Sequence, residues 1–104
     1  MKIQFNTDKT INGHERHQDF FTAQITEDLK RFQSDITRIE VHVSDENGEK
    51  EGRDDIQCLL EARLKGRKPI AVTNKADTVE LAVSGASNKL IASLETILGR
   101  INDK

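Results

Sequence analysis

The sequence predicts a two-layer α+β domain of order β-α-β-β-β-α, a four-stranded mixed sheet with both helices on one face. Three observations carry this. Apolar residues alternate with polar ones in four short stretches, two longer stretches repeat apolar residues at helical spacing, and each helical stretch opens on a capping signal. The chain has 104 residues, enough for one core and too few for two, so residues 1–104 are expected to form a single domain.

The first strand is expected from Lys2 to Thr7, where Ile3 and Phe5 alternate with polar neighbours. Asn12-Gly13-His14-Glu15 then places a capping residue three positions before a Glu, which starts a helix running to about Gln33. Phe21, Ile25, Leu29 and Phe32, at spacings of 4, 4 and 3, give that helix one apolar face. From Ile36 to Ser44 the period returns to two. Ile39, Val41 and Val43 face one way, and Arg38, Glu40 and His42 the other.

Asp45 to Arg53 reads as a polar loop. The third strand, Asp55 to Leu64, turns Ile56, Cys58, Leu60, Ala62 and Leu64 inward, with Leu59 the odd member. Lys65-Gly66-Arg67-Lys68 reads as a hairpin turn, and residues 69–73 as the fourth strand, where Pro69 stands at the start and need donate no ladder bond. Asp77-Thr78-Val79-Glu80 repeats the capping-box pattern. Behind it, Val79, Val83, Ala86, Leu90, Leu94, Ile97 and Ile101 predict a helix of about seven turns. Its small residues Ala82, Gly85, Ala86 and Ala92 suit a close approach to a neighbour.

Composition excludes several classes of function. Leu, Ile, Val and Phe together number 27, about 26% of the chain, above the level at which charged chains stay disordered. No apolar run is long enough to span a bilayer, and the first residues lack the apolar stretch of a signal peptide. Cys58 stands alone and cannot form an intrachain disulfide, so a reducing cytoplasm is the expected setting. It is better read as a buried small hydrophobe than as a nucleophile. His14 and His17, three residues apart on a helix, resemble half of a metal site, but no third ligand follows at a matching spacing. The neighbouring carboxylates Glu27-Asp28 and Asp54-Asp55 do not face each other as an acid/base pair would. No catalytic constellation, cofactor motif or small-molecule site stands out.

The net charge of −2 argues against a nucleic-acid partner only if charge is spread evenly. It is not. Arg63, Lys65, Arg67, Lys68 and Lys75 follow one another without an acid, and the span from Asp45 to Asp55 carries six acids against Lys50 and Arg53. Those five cations are expected to cluster on the last hairpin and the loop after it, as a surface for phosphates. A solubilising edge is the plainer reading of the same charges. No aromatic is interleaved with them, so contacts would be to backbone and shape rather than to stacked bases.

Three stretches resemble one family. They run from Asp35 to Gly48, from Glu61 to Thr73, and from Asn88 to Arg100. The chain is similar over nearly its whole length to the short form of the ribosome hibernation-promoting factor family, the protein Y-like ribosome-associated inhibitors, also called sigma-54 modulation proteins. The resemblance implies a double-stranded-RNA-binding-like fold, a bacterial cytoplasm, and binding to the small ribosomal subunit where messenger and transfer RNA would sit. It implies translational silencing in stress or stationary phase, without catalysis. Basic residues on both helices and the adjoining loops would contact ribosomal RNA. Lys89 matches one such position, but Ala92 and Thr96 stand where basic residues are expected. The expected contact residues are therefore Arg63, Lys65, Arg67, Lys68, Lys75 and Lys89, with Arg16, Lys30, Arg31 and Arg100 secondary. The rival function is a protein-interaction module on the same fold, using the open sheet face or the acidic loop.

Overall fold

The computed structural model describes residues 1–7, 14–45 and 56–99; for residues 7, 14–17, 45 and 99 it describes the backbone only. The elements follow the expected order: β1 (Lys2–Thr7), α1 (His14–Asp28), a 3-10 turn (Lys30–Phe32), β2 (Ile36–Asp45), β3 (Ile56–Leu64), β4 (Ile70–Ala76) and α2 (Val79–Leu94), which ends in a wide π turn (Glu95–Gly99). The strands lie side by side as β1-β2-β3-β4, with β1 parallel to β2 and the other pairs antiparallel. The sheet is mixed because the chain must cross back through α1 before β2 can pair with β1.

Register places the inward residues of all four strands in rows. Phe5, Val41, Leu60 and Val72 form one row, and Ile39, Ala62 and Ile70 lie beside Ile3 in the next. α2 packs over β3 and β4, α1 over β1, and the helices touch each other. Ile25, Leu29, Ile39, Val41, Leu60, Leu90 and Leu94 are fully buried between the layers. Ser87 is buried among them, and its hydroxyl donates to Asp28 Oδ2 at 3.0 Å, pinning α2 to the end of α1. Cys58 lies on the inner face as expected. No helix among the described residues is long and apolar enough to cross a membrane.

Several details depart from the sequence reading. α1 stops at Asp28 rather than near Gln33: Leu29 leaves helical geometry at φ −104°, ψ 11°, and the tighter 3-10 turn follows. The tighter winding still buries Phe32 while it steers the chain toward β2. In β2, the register slips between Ile36 and Arg38, so Thr37 is an extra residue whose hydroxyl donates to the Arg63 carbonyl at 3.1 Å. That bulge lets Ile36 and Ile39, an odd number of residues apart, both face the core.

β4 runs to Ala76, three residues beyond the expected end, and displaces the helix cap. Thr78, not Asp77, caps α2, accepting from Leu81 N at 3.1 Å, so Glu80 sits one position too early to close a capping box. The π turn at the end of α2 aligns Leu98 with Leu90 and Leu94 in the core and leaves Ile97 half-buried. Of the small residues on α2, Ala82 and Ala86 are buried and Gly85 meets Asn74 of β4, but Ala92 is exposed. The capping signal at Asn12, the loop at residues 46–53, Asp55 and Ile101 lie outside the described residues.

Candidate nucleic-acid interface

The hairpin between β3 and β4 is built around Gly66, whose φ of +67° lies in the left-handed region that a side chain disfavours. Lys65 N donates to the Asp35 carbonyl at 3.0 Å, which ties this turn to the start of β2. Lys65, Arg67 and Lys68 are exposed, and no ion pair engages them among the described residues. The turn therefore presents three uncompensated cations on a fixed backbone.

Lys30 and Arg31 stand at the same end of the sheet, on the 3-10 turn that leads into β2. Arg31 is already engaged: its guanidinium pairs with Glu95 and lies over the Phe32 ring, 4.6 Å from the centroid. It clasps the ends of the two helices together. Lys30 is exposed and borders a shallow groove of about 570 Å³ with Glu27, Asp28, Arg31, Gln33 and Ser34.

The other expected residues do not gather at that turn. Lys75 belongs to β4 itself, paired across from Gln57 at the far end of the sheet. It lies seven residues along the extended chain from Lys68, about 23 Å. The expected five-residue cluster is thus split, because β4 is longer than its alternation suggested. Lys89 projects from α2, and its Nζ donates to the Thr73 carbonyl at 2.8 Å, fastening the helix to the edge strand. The side chains of Arg16, His14 and His17, and the whole of Arg100, lie outside the described residues.

Arg63 faces the open side of the sheet, directly across from Arg38, and one row further along Glu40 stands across from Glu61. Like charges placed opposite repel, so the rows are stabilised diagonally and along the strands. Arg38 Nη2 meets Glu40 Oε2 at 2.6 Å, Arg63 Nε reaches the same oxygen at 3.7 Å, and Arg63 Nη2 lies 3.9 Å from Glu61 Oε1. His42 Nε2 is 3.6 Å from Glu40 Oε1. Glu40, with 17% of its side chain exposed, is the hub of this network. Sequence reasoning about sites missed Arg38 and its β1 neighbour Lys2. Pairing register, not composition, is the signal that finds them: Lys2, Arg38 and Arg63 form one row across three strands.

Cys58 takes no part in this surface. Burial pushes its thiol from 9.0 up to about 12, which suppresses the nucleophilic thiolate. Phe5 and Phe21 stack inside the molecule at 6.4 Å, whereas Phe20 is 57% exposed.

No family model and no curated relative matches the sequence. A solved structure does: the N-terminal domain of Protein Y from Thermus thermophilus superposes with a TM-score of 0.73, over 93% of this chain and 99% of that one, at 13% sequence identity. The chain has the Protein Y N-terminal fold. The sequence likeness is slight, so what is shared is the arrangement of strands and helices. In this version of the Protein Y fold, described cations concentrate at the hairpin end of the sheet. On the helices they are outnumbered: Asp19, Glu27, Asp28, Glu80 and Glu95 stand against Lys30, Arg31 and Lys89.

Proposed function

We propose that this protein is a ribosome-associated translation regulator of the hibernation-promoting type, which binds ribosomal RNA of the small subunit by charge and shape. The observation that carries the reading is the Protein Y N-terminal fold over 93% of the chain, joined to a hairpin whose three cations have no acid among them. Lys65, Arg67 and Lys68 act as phosphate contacts. Phosphate neutralisation releases counterions, so binding tightens as salt falls. The function needs no catalytic step: occupancy of the decoding groove is itself the inhibitory act.

The test is co-sedimentation with purified small subunits over a salt series. Wild type is expected to pellet with subunits at low salt and to be released as salt rises. The variant with Lys65, Arg67 and Lys68 changed to Ala is expected to lose most of that binding, with a salt slope smaller by roughly two to three. Wild type that stays in the supernatant at low salt refutes ribosome association. Equal binding by the variant refutes the hairpin as the contact.

A further inference from the structure

We infer that the RNA-facing surface is the hairpin end of the open sheet face, where the row Lys2–Arg38–Arg63 continues into Lys65, Arg67 and Lys68, and that the helical layer is turned away from the RNA. The inference rests on the ribosome-binding reading above and names the surface that performs it.

Neighbouring strands lie about 4.8 Å apart, so a row of three cations across β1, β2 and β3 brings three like charges side by side. The protein compensates them only in part. Glu40 is shared between Arg38 and Arg63, Glu61 touches only Arg63, and no ion pair engages Lys2 among the described residues. Arg38 Nε is buried without a hydrogen-bond partner. The six cations of this row and turn, Lys2, Arg38, Arg63, Lys65, Arg67 and Lys68, lie beside three carboxylates, those of Asp35, Glu40 and Glu61. A chain of phosphates supplies the missing negative charge in the one form that spans a row and a turn together.

The helices offer the opposite field. Their described acids outnumber their bases, Arg31 is held by Glu95, and Lys89 is held by the Thr73 carbonyl. A polyanion is repelled from that layer and attracted to the other side of the molecule. The open face carries no Phe on its described strands, so it reads backbone charge and not stacked bases.

Lysine acylation footprinting of the wild-type protein, free and bound to small subunits at low salt, tests the face directly. Bound protein is expected to show Lys2, Lys65 and Lys68 protected several-fold, with Lys30 and Lys89 as reactive as in the free protein. Lys2→Gln, an exposed change on an unpaired side chain, is expected to weaken binding several-fold and to reduce the salt slope by about one. Protection of Lys30 and Lys89 with Lys2 left reactive overturns the assignment of the face while ribosome binding stands. Unchanged binding by Lys2→Gln, with Lys2 unprotected, overturns the row as a contact. Failure of the wild type to bind subunits overturns both this inference and the reading beneath it.

Discussion

The side-chain amide of Asn74 occupies the space that a Cβ on Gly85 would need: an added methyl would stand 2.1 Å from Asn74 Nδ2 and 2.6 Å from its Cγ. Asn74 is an inward residue of β4, and its amide donates to the carbonyls of Leu81 and Ala82, each at 3.3 Å. A polar side chain in the interlayer space thus fixes where α2 sits along the edge strand. Gly85 leaves the room for it.

Gly85→Ala sets two effects against each other. Helix propensity alone favours Ala by about 1 kcal/mol, but the methyl must displace Asn74 and break both amide contacts. The displacement prevails, and a net loss of about 1–2 kcal/mol is expected in urea unfolding. In an Asn74→Ala background the same substitution should be neutral or stabilising, a coupling of roughly 1 kcal/mol or more. Equal effects in the two backgrounds would show that the contact does not matter.

The cap of α2 gives a second expectation. Thr78→Ala removes the acceptor of the Leu81 N–H and should cost about 1 kcal/mol, while Thr78→Ser should keep most of the stability. Thermal unfolding of the two variants beside wild type distinguishes a cap at Thr78 from one at Asp77.

Glu40→Gln takes the hub from the open-face network. Arg38 and Arg63 then confront each other with Glu61 as the remaining carboxylate of the network, 3.9 Å from Arg63. These guanidiniums are partly solvated, so a loss of about 1 kcal/mol at low ionic strength is expected, not more. The loss should shrink in 1 M salt, where the screening length is about 3 Å. A loss independent of salt would point to packing instead of charge.

Cys58 sets a limit at high pH. Its thiol is held at about 12 in the fold against 9.0 in the ordinary state, so the unfolded chain releases the proton first. Stability is therefore unaffected below pH 9 and falls above it, by up to about 1.4 kcal/mol per pH unit between 9 and 12. Cys58→Ala should flatten this part of the profile in urea titrations between pH 8 and 10. At pH 8, native protein should alkylate at least a thousandfold more slowly than unfolded chain, in line with the three-unit rise and the burial.

Most of the architecture was legible because periodicity reports which side chains point inward. Ile39, Val41 and Val43 alternate, and they are buried; Phe21, Ile25 and Leu29 recur at helical spacing, and they are too. The misplaced boundaries have local causes that periodicity does not encode. The 3-10 turn at Lys30 keeps Phe32 inward at a different winding, and the added length of β4 moves the cap from Asp77 to Thr78. The candidate site was legible only where its residues are adjacent in sequence, as in Lys65, Arg67 and Lys68. Lys2 and Arg38 join Arg63 through strand pairing, and Lys75 leaves the group because an extended strand carries it away.

The extra residue at Thr37 makes the short segment from Asp35 to Arg38 a matter of counting. A β-strand has two sides and no intermediate setting, so one residue decides which side is dry. Were Thr37 drawn into the ladder while Ile36 stays anchored opposite Leu64, everything downstream in β2 would invert, sending Arg38, Glu40 and His42 into the apolar layer and Ile39, Val41 and Val43 into water. Ile36 and Ile39 both keep their places in the core because Thr37 stays out of the pairing, where its hydroxyl bond to the Arg63 carbonyl holds it. The charged face owes its existence to a single unpaired position more than to any of the charges on it.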